Sequence, residues 1–220
     1  VTSITDQYRI ITSRAGWADR GTWGRLKFSG GDVLPFLQGL LTNDVAGLQT
    51  GQGVYAAWLT ALGRMNADIV LLHRGDRVIG LVGEGRGAEL ATRFDQLIFA
   101  EDVSVTDVSS DYADVFVTGG AAAEVVAAAT GAQADALETL AELAQQDVDG
   151  GFVVRVGDST LPAFRVIVEA ARHDQLLAGL AQAGAVVMSE PLVTALRIEA
   201  GRGQWGADLS DDVIPLEAGL

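Results

Sequence analysis

The stretch LRIEAGRG, Leu196–Gly203, sets a basic and an acidic side chain two residues apart, Arg197 and Glu199, between an apolar run and glycines. The run reads as a strand that ends in a glycine-broken loop. An ionised carboxylate accepts two parallel hydrogen bonds well. Glu199 is therefore solvated, held by a neighbour such as Arg197, or aimed at a ligand with adjacent N–H and NH2 donors. Guanidinium and the 2-amino-4-oxo edge of a pterin are ligands of that kind. A second carboxylate, Asp68, stands at the start of the apolar run DIVLL. It reads as a turn residue at a strand end, or as a lone carboxylate at a pocket mouth, able to move or stabilise a proton on a bound amine. No second carboxylate sits beside it and no nucleophile has an adjacent base. That pattern offers neither a triad nor a paired-carboxylate site.

Three other patterns compete for attention. VIGLVGEGRGAEL places Gly83, Gly85 and Ala88 in the G-x-G-x-x-A spacing, with Asp107 ending the next strand at roughly the dinucleotide-fingerprint distance. The strand that carries it is preceded by HRGD, a hairpin signal, which makes it antiparallel to its predecessor. A dinucleotide fold wants that strand in a parallel sheet, so the glycines read as a helix start. LLTNDV, Leu40–Val45, reads as a helix end turned by Asn43 in the left-handed region, or as polar groups projecting into a cavity. The two histidines, His73 and His173, have no partner at metal spacing, and no metal is expected.

Composition narrows the classes further. The chain has 220 residues, nearly half of them apolar, and a formal charge of −14. An acidic surface repels phosphate backbones, which argues against direct nucleic-acid or anionic-membrane binding. No apolar run is long enough to span a bilayer, and VTSITDQYRI lacks the basic and apolar regions of a signal peptide. With no cysteine, this stretch offers no disulfide and no thiol chemistry.

The elements that must position these groups are predicted from punctuation and period. GRLKFSG alternates like a strand. Asp32 starts a helix with Pro35 in its first turn, and Leu34, Leu37, Leu40 and Leu41 share a face. GQGVYAAWLT is a strand, and the two apolar runs around HRGD form a hairpin. A helix follows, with Leu90, Phe94, Leu97 and Ile98 on its buried side, and then the strand VSVTDVS. Beyond Ser109–Ser110 come the strand DYADVFVTGG, the helix AAAEVVAAAT, a helical or loop stretch Asp135–Gln146, two strands around a Gly-Asp turn, and the helix HDQLLAGLAQAGA. Hairpins are as frequent as crossovers, so the fold class is α+β with mainly antiparallel sheets.

Two landmarks carry a family resemblance: SGGDVLPFLQGLLTNDVAGLQTGQGVYAAWLTALGRMNADIVLL near the start and LRIEAGRGQWGADLSDDVIPLEAGL at the end. With them the chain resembles the superfamily of the glycine-cleavage T-protein, an aminomethyltransferase, and the YgfZ-type folate-binding proteins. The resemblance implies folate-binding lobes around a central pocket. A discontinuous first lobe would run over 1–109 plus 190–220, and a ferredoxin-like second lobe over 110–189. A C-terminal β-barrel lobe would begin beyond Leu220, as would the signature Lys-Gly-Cys-aromatic-x-Gly-Gln-Glu of the YgfZ branch. It implies tetrahydrofolate or a folate derivative as cofactor, with Glu199, beside Arg197, as acceptor of the pterin edge. Asp68 would lie near the reactive nitrogens as the catalytic candidate, and Trp205 would stack or wall the pocket. Arg14, Arg86 and Arg202 are the cations available for folate's glutamate tail.

Two departures bear on activity. T-proteins carry adjacent acidic residues where this chain has Ala67 and Asp68, and an asparagine where it has Gly83. These departures are more similar to the YgfZ type. The leading expectation is accordingly a cytoplasmic folate-binding accessory protein, linked to iron–sulfur enzyme maintenance and, through those clients, to tRNA modification. A tetrahydrofolate-dependent aminomethyltransferase and an interaction scaffold with a vestigial pocket are the alternatives.

Overall fold

A computed structural model describes residues 3–218. The chain divides into two compact units, Val1–Gly21 with Ser110–Arg202 and Thr22–Ser109 with Gly203–Leu220. This division departs from the predicted lobes. Residues 1–21 and 190–202 belong with 110–189, because the chain's first strand pairs into that unit's sheet and its first helix packs on the helix that carries Glu199. A boundary between Ser109 and Ser110 is common to both divisions.

The unit built on 22–109 is a five-stranded sheet with two helices on one face. Its elements are β2 (Trp23–Ser29), α2 (Val33–Leu40), β3 (Gly53–Leu59), β4 (Met65–His73), β5 (Arg77–Glu84), α3 (Gly87–Asp95) and β6 (Ser104–Asp107). The order is β3-β4-β5-β2-β6, antiparallel at every pairing. Successive side chains on a strand point to opposite faces. Leu26, Phe28, Ala56, Trp58, Ala67, Ile69, Leu71, Val78 and Val82 therefore line one face. There they join Val33, Phe36 and Leu37 of α2 and Leu90 and Phe94 of α3 in one apolar core. Phe94 stacks on Trp58 and meets Phe28 edge-on, which fixes α3 over the sheet. The glycines around the start of α3 have structural causes. A Cβ on Gly24 of β2 would lie 2.7 Å from the backbone nitrogen of Gly87, so β2 and the start of α3 touch through backbone. Gly85 turns the chain at φ +70°.

The other unit adds β1 (Gly16–Asp19), β7 (Tyr112–Thr118), β8 (Gln145–Val148), β9 (Gly151–Arg155), β10 (Ala163–Glu169) and β11 (Val186–Val187) in the order β11-β1-β7-β10-β9-β8. β11 is parallel to β1, and the other pairings are antiparallel. The run β7, α4 (Ala122–Thr130), β9, β10, α6 (His173–Gln182), β11 has the β-α-β-β-α-β order of a ferredoxin-like unit, with β1 inserted in its sheet. Val115, Val117, Val153, Phe164, Val166 and Val168 face α4 and α6 in the core. Asp114 and Arg165 project from the opposite face. Arg165 Nε donates to Asp114 Oδ1 at 3.0 Å, and its Nη2 to Oδ2, with both side chains buried.

Three local readings are corrected. The run carrying Arg197 and Glu199, read as a strand, is the end of helix α7 (Glu190–Glu199), with Leu192, Val193 and Leu196 buried. The 135–146 stretch is a short helix α5 (Ala134–Thr139), followed by a loop and the first residues of β8. Asn43 is not left-handed. It lies beyond α2, where its amide donates to the Tyr55 carbonyl at 2.9 Å and Thr42 Oγ1 accepts the Ala57 amide. LLTNDV thus spends its polar groups on the free edge of β3.

His173, the first residue of α6, bridges two carboxylates: Nε2 to Asp19 Oδ2 at 2.9 Å and Nδ1 to Asp174 Oδ1 at 3.0 Å. The hydrogen bond to Asp19, supported by that to Asp174, raises its pKa above the ordinary 6.5. The imidazolium is thus favoured in the folded chain. Its stabilisation is complete below the unfolded-state value and lost as pH rises through the folded-state value. A partly exposed pair of this kind contributes about 1 kcal/mol or less. H173Q is expected to lower the melting temperature slightly near pH 5.5 and to leave it unchanged near pH 9. Equal losses at both pH values would show that the ring acts through packing instead.

Candidate functional site

Asp68 is an interior residue of β4, not a strand-end turn. It pairs with Ala57 of β3, and the pleat turns it away from the helix-covered face that holds its neighbours Ala67 and Ile69. Tyr55, two residues along β3 from Ala57, projects to the same face. Its hydroxyl donates to Asp68 Oδ2 at 3.3 Å. A phenol over a part-buried carboxylate orients that group and leaves it capacity to accept further hydrogen bonds. Sequence reasoning missed Tyr55. The hairpin register would have found it, since residues two apart on paired strands share a face.

Ala67 alters the meaning of the missing acid. It is 2% exposed and packed in the apolar core with Trp58 and Phe94. An acid there would not stand beside Asp68 but on the other side of the sheet. The face of Asp68 has lost no carboxylate at this position.

Trp205 belongs to the same unit. It packs against a small cluster of Ala57, Met65 and Leu209. Asp68 pairs with Ala57, and Trp205 packs against the cluster to which Ala57 belongs. The Arg86 guanidinium lies over the Trp205 ring, 4.3 Å from its centre. A Cβ on Gly83 would meet the Trp205 Cβ at 3.4 Å, so Gly83 sits directly against the base of that side chain. Arg86 is already engaged: Nε and Nη2 donate to the Glu89 carboxylate at 3.2 and 3.1 Å, and Nη2 also to the Asn66 carbonyl at 3.2 Å. The Arg86 bonds to Glu89 foremost, with one from Arg93 Nη1, hold the Glu89 carboxyl below its ordinary range. Asp107, the acid of the dinucleotide-like pattern, accepts from the amide and hydroxyl of Ser109 and so closes a turn.

Arg197 and Glu199 lie in the other unit, at the C-terminal end of α7. Two residues apart on a helix are separated by about 200° around its axis, where a strand would have put them on one face. Glu199 is exposed and accepts a hydrogen bond from the Tyr8 hydroxyl of α1 (Ile4–Ser13) at 3.3 Å. Its charge pushes the Tyr8 hydroxyl pKa up. Arg197 turns back along the chain, where Nη1 donates to the Arg202 carbonyl and fixes the glycine-broken loop. Arg202 in turn donates from Nε to the Gly157 carbonyl at 3.1 Å and from Nη2 to Glu142. Ser189-Glu190-Pro191 is compatible with a helix start, and the burial of Leu192, Val193 and Leu196 on one face selects the helix over a strand.

The sequence model of the GCVT N-terminal domain matches residues 1–220. The chain belongs to the GCVT N-terminal domain family. Among curated proteins it is 29% identical over 219 residues to the aminomethyltransferase of Rubrobacter xylanophilus, covering 99% of this chain and 59% of that protein. It is also 29% identical over 224 residues to the aminomethyltransferase of Geobacillus kaustophilus, covering 99% of this chain and 62% of that one. The chain thus spans about three fifths of the length of these relatives. Among solved structures, glycine cleavage system aminomethyltransferase T from Bartonella henselae matches with TM-score 0.86 at 20% identity, over 97% of this chain and 58% of that one. Heterotetrameric sarcosine oxidase from Corynebacterium sp. U-96 matches with TM-score 0.57 at 15% identity, over 84% of this chain and 87% of that one. These likenesses show the fold: mixed α+β with predominantly antiparallel sheets.

Among the described residues of this GCVT N-terminal domain, no group of three His, Cys, Asp or Glu side chains could hold a metal ion. None of its described helices is long and apolar enough to cross a membrane. The opposite facing of residues 67 and 68 has a direct consequence. A67D forces a carboxylate into the apolar core and is expected to cost about 2 kcal/mol or more. D68N, on the other face, is expected to shift stability by less than about 1 kcal/mol. Urea unfolding of the two variants checks this, and equal losses would contradict the assignment of faces.

Proposed function

We propose that this GCVT N-terminal domain binds tetrahydrofolate and serves transfer of a one-carbon unit from an amine, as the names of its aminomethyltransferase relatives suggest. The family relation over the whole chain carries the reading. Local chemistry supports it. Glu199 presents an exposed carboxylate whose contact among the described residues is the long bond from Tyr8, so it keeps acceptor capacity for a 2-amino-4-oxo pterin edge. Asp68, steadied by Tyr55, is a carboxylate suited to holding a proton on a reacting amine nitrogen. Trp205 offers a flat wall, one side of it occupied by Arg86. Arg197 acts as a positioning residue through the Arg202 carbonyl. Bound tetrahydrofolate would supply the reduced-ring nitrogens that accept the one-carbon unit.

One observation favours a second reading, a YgfZ-type folate-binding accessory protein linked to iron–sulfur client enzymes. By the family resemblance Gly83 stands where T-proteins carry an asparagine, and the space beside it is taken by the base of Trp205. That position offers no side-chain amide to a ligand.

Calorimetric titration of the full-length protein with tetrahydrofolate tests the shared part. E199A is expected to weaken binding by about 10-fold or more, the usual cost of losing a charge-assisted pair. No binding by folded wild type would end the folate reading. The two activities separate on D68N. Under the transfer reading it binds nearly as wild type, but forms the one-carbon adduct of tetrahydrofolate about 100-fold more slowly. Under the accessory reading the wild type itself binds without turnover.

A further inference from the structure

A recess of about 220 Å³ opens in the unit that contains residues 110–202, between the end of α4, the β8–β9 turn and the start of α6. Val168 and Leu176, each 4% exposed, form its floor, and Ala129 and Val148 complete its apolar part. Asp149, Arg172 and Gln175 stand at its mouth with Thr130. The volume falls below the roughly 300–1,000 Å³ of sites for drug-sized ligands, so the recess suits a small metabolite. Neither reading of the folate chemistry uses it.

Some of its polar groups are fixed and others are uncommitted. Arg172 Nη1 lies 2.8 Å from Asp149 Oδ2. Gly150 makes that placement possible. It turns the chain at φ +71°, and a Cβ there would lie 2.6 Å from Arg172 Cδ. Among the described residues Asp149 is the only ionic partner of Arg172, and the Gln175 side-chain amide has no partner. A guanidinium has donors on three nitrogens, so those of Arg172 are not exhausted by one carboxylate oxygen. The Arg172 side chain is 33% exposed and that of Asp149 is 83% exposed. A pair this exposed is held weakly and can exchange partners. The Thr130 hydroxyl is already spent, donating to the Val126 carbonyl at 2.7 Å. Thr130 closes α4, however, and Arg172 immediately precedes α6. The negative end of one helix dipole and the positive end of another therefore border the same recess.

These charges select the ligand. Asp149 and the end of α4 repel an anion, while Arg172 and the start of α6 repel a cation. A zwitterion satisfies both. We propose that the recess binds an aliphatic α-amino acid of about the size of leucine. Its carboxylate meets Arg172 and the Gln175 amide, its ammonium meets Asp149, and its side chain rests on Val168 and Leu176. An α-amino acid carries its opposite charges on one carbon, as closely set as those of Arg172 and Asp149. The site lies within one unit and its test involves no folate, so it stands or falls apart from the folate reading.

The probe is L-leucine, followed by amide NMR of the full-length protein. Saturable shifts are expected at the amides of Thr130, Gly150 and Leu176. Two analogues each lack one charge: 4-methylpentanoate has no ammonium, and 3-methylbutylamine has no carboxylate. Each is expected to bind about 10-fold or more weaker than leucine, because one charged group at the mouth loses its partner. Glycine keeps both charges without the side chain and is expected to lose at least about 10-fold through the unused apolar floor. R172Q and D149N should each weaken leucine binding by a similar factor. The absence of saturable shifts at millimolar leucine would overturn the proposal, as would an analogue or glycine binding as tightly as leucine. If either variant does not fold, the comparison of ligands still decides, since it rests on the wild type.

Discussion

The alternation of side chains across antiparallel strands is the constraint on which this chain depends. Each sheet has one face closed by its own helices, and the polar groups that matter project from the other. In one unit Ala67 and Ile69 enter the core while Asp68 between them leaves it. In the other, Val115 and Val166 enter the core while Asp114 and Arg165 pair on the opposite face. A slip of one residue in either register would bury the carboxylates among leucines and valines, at a cost of several kcal/mol for each charge left unpaired.

That constraint revises the meaning of an adjacent pair. Two neighbouring acids in a strand are not a pair in space, because they face opposite sides. The absence of an acid at Ala67 therefore says little about chemistry at Asp68. The residue that does share its face is Tyr55, twelve positions before Ala67 and on another strand. On a helix the same logic works with a different period. Arg197 and Glu199 diverge around α7, and each finds a separate partner, the Arg202 carbonyl and the Tyr8 hydroxyl.

Arginine links the polar parts of each unit. Arg86 joins Trp205, Glu89 and the Asn66 carbonyl. Arg93 lies over Trp58 and donates to Asn66 Oδ1 at 2.8 Å. Arg202 joins the end of α7 to the β9–β10 loop. The guanidinium suits this work because its planar fork serves two or three acceptors at once and its face rests on an aromatic ring. The single lysine among fifteen basic residues fits that use.

By itself the sequence determined the α+β class, the hairpin at HRGD, the helix starts at Asp32 and Gly87, and membership of a family whose landmarks it carries. Those features rest on local punctuation and on short periods, which need no knowledge of distant contacts. Only the tertiary structure decided that residues 190–199 are helical, because a short apolar run suits a strand or a buried helix equally until packing selects one. It alone assigned the first 21 residues to the unit formed by 110–202, since a four-residue strand gives no sign of its partner.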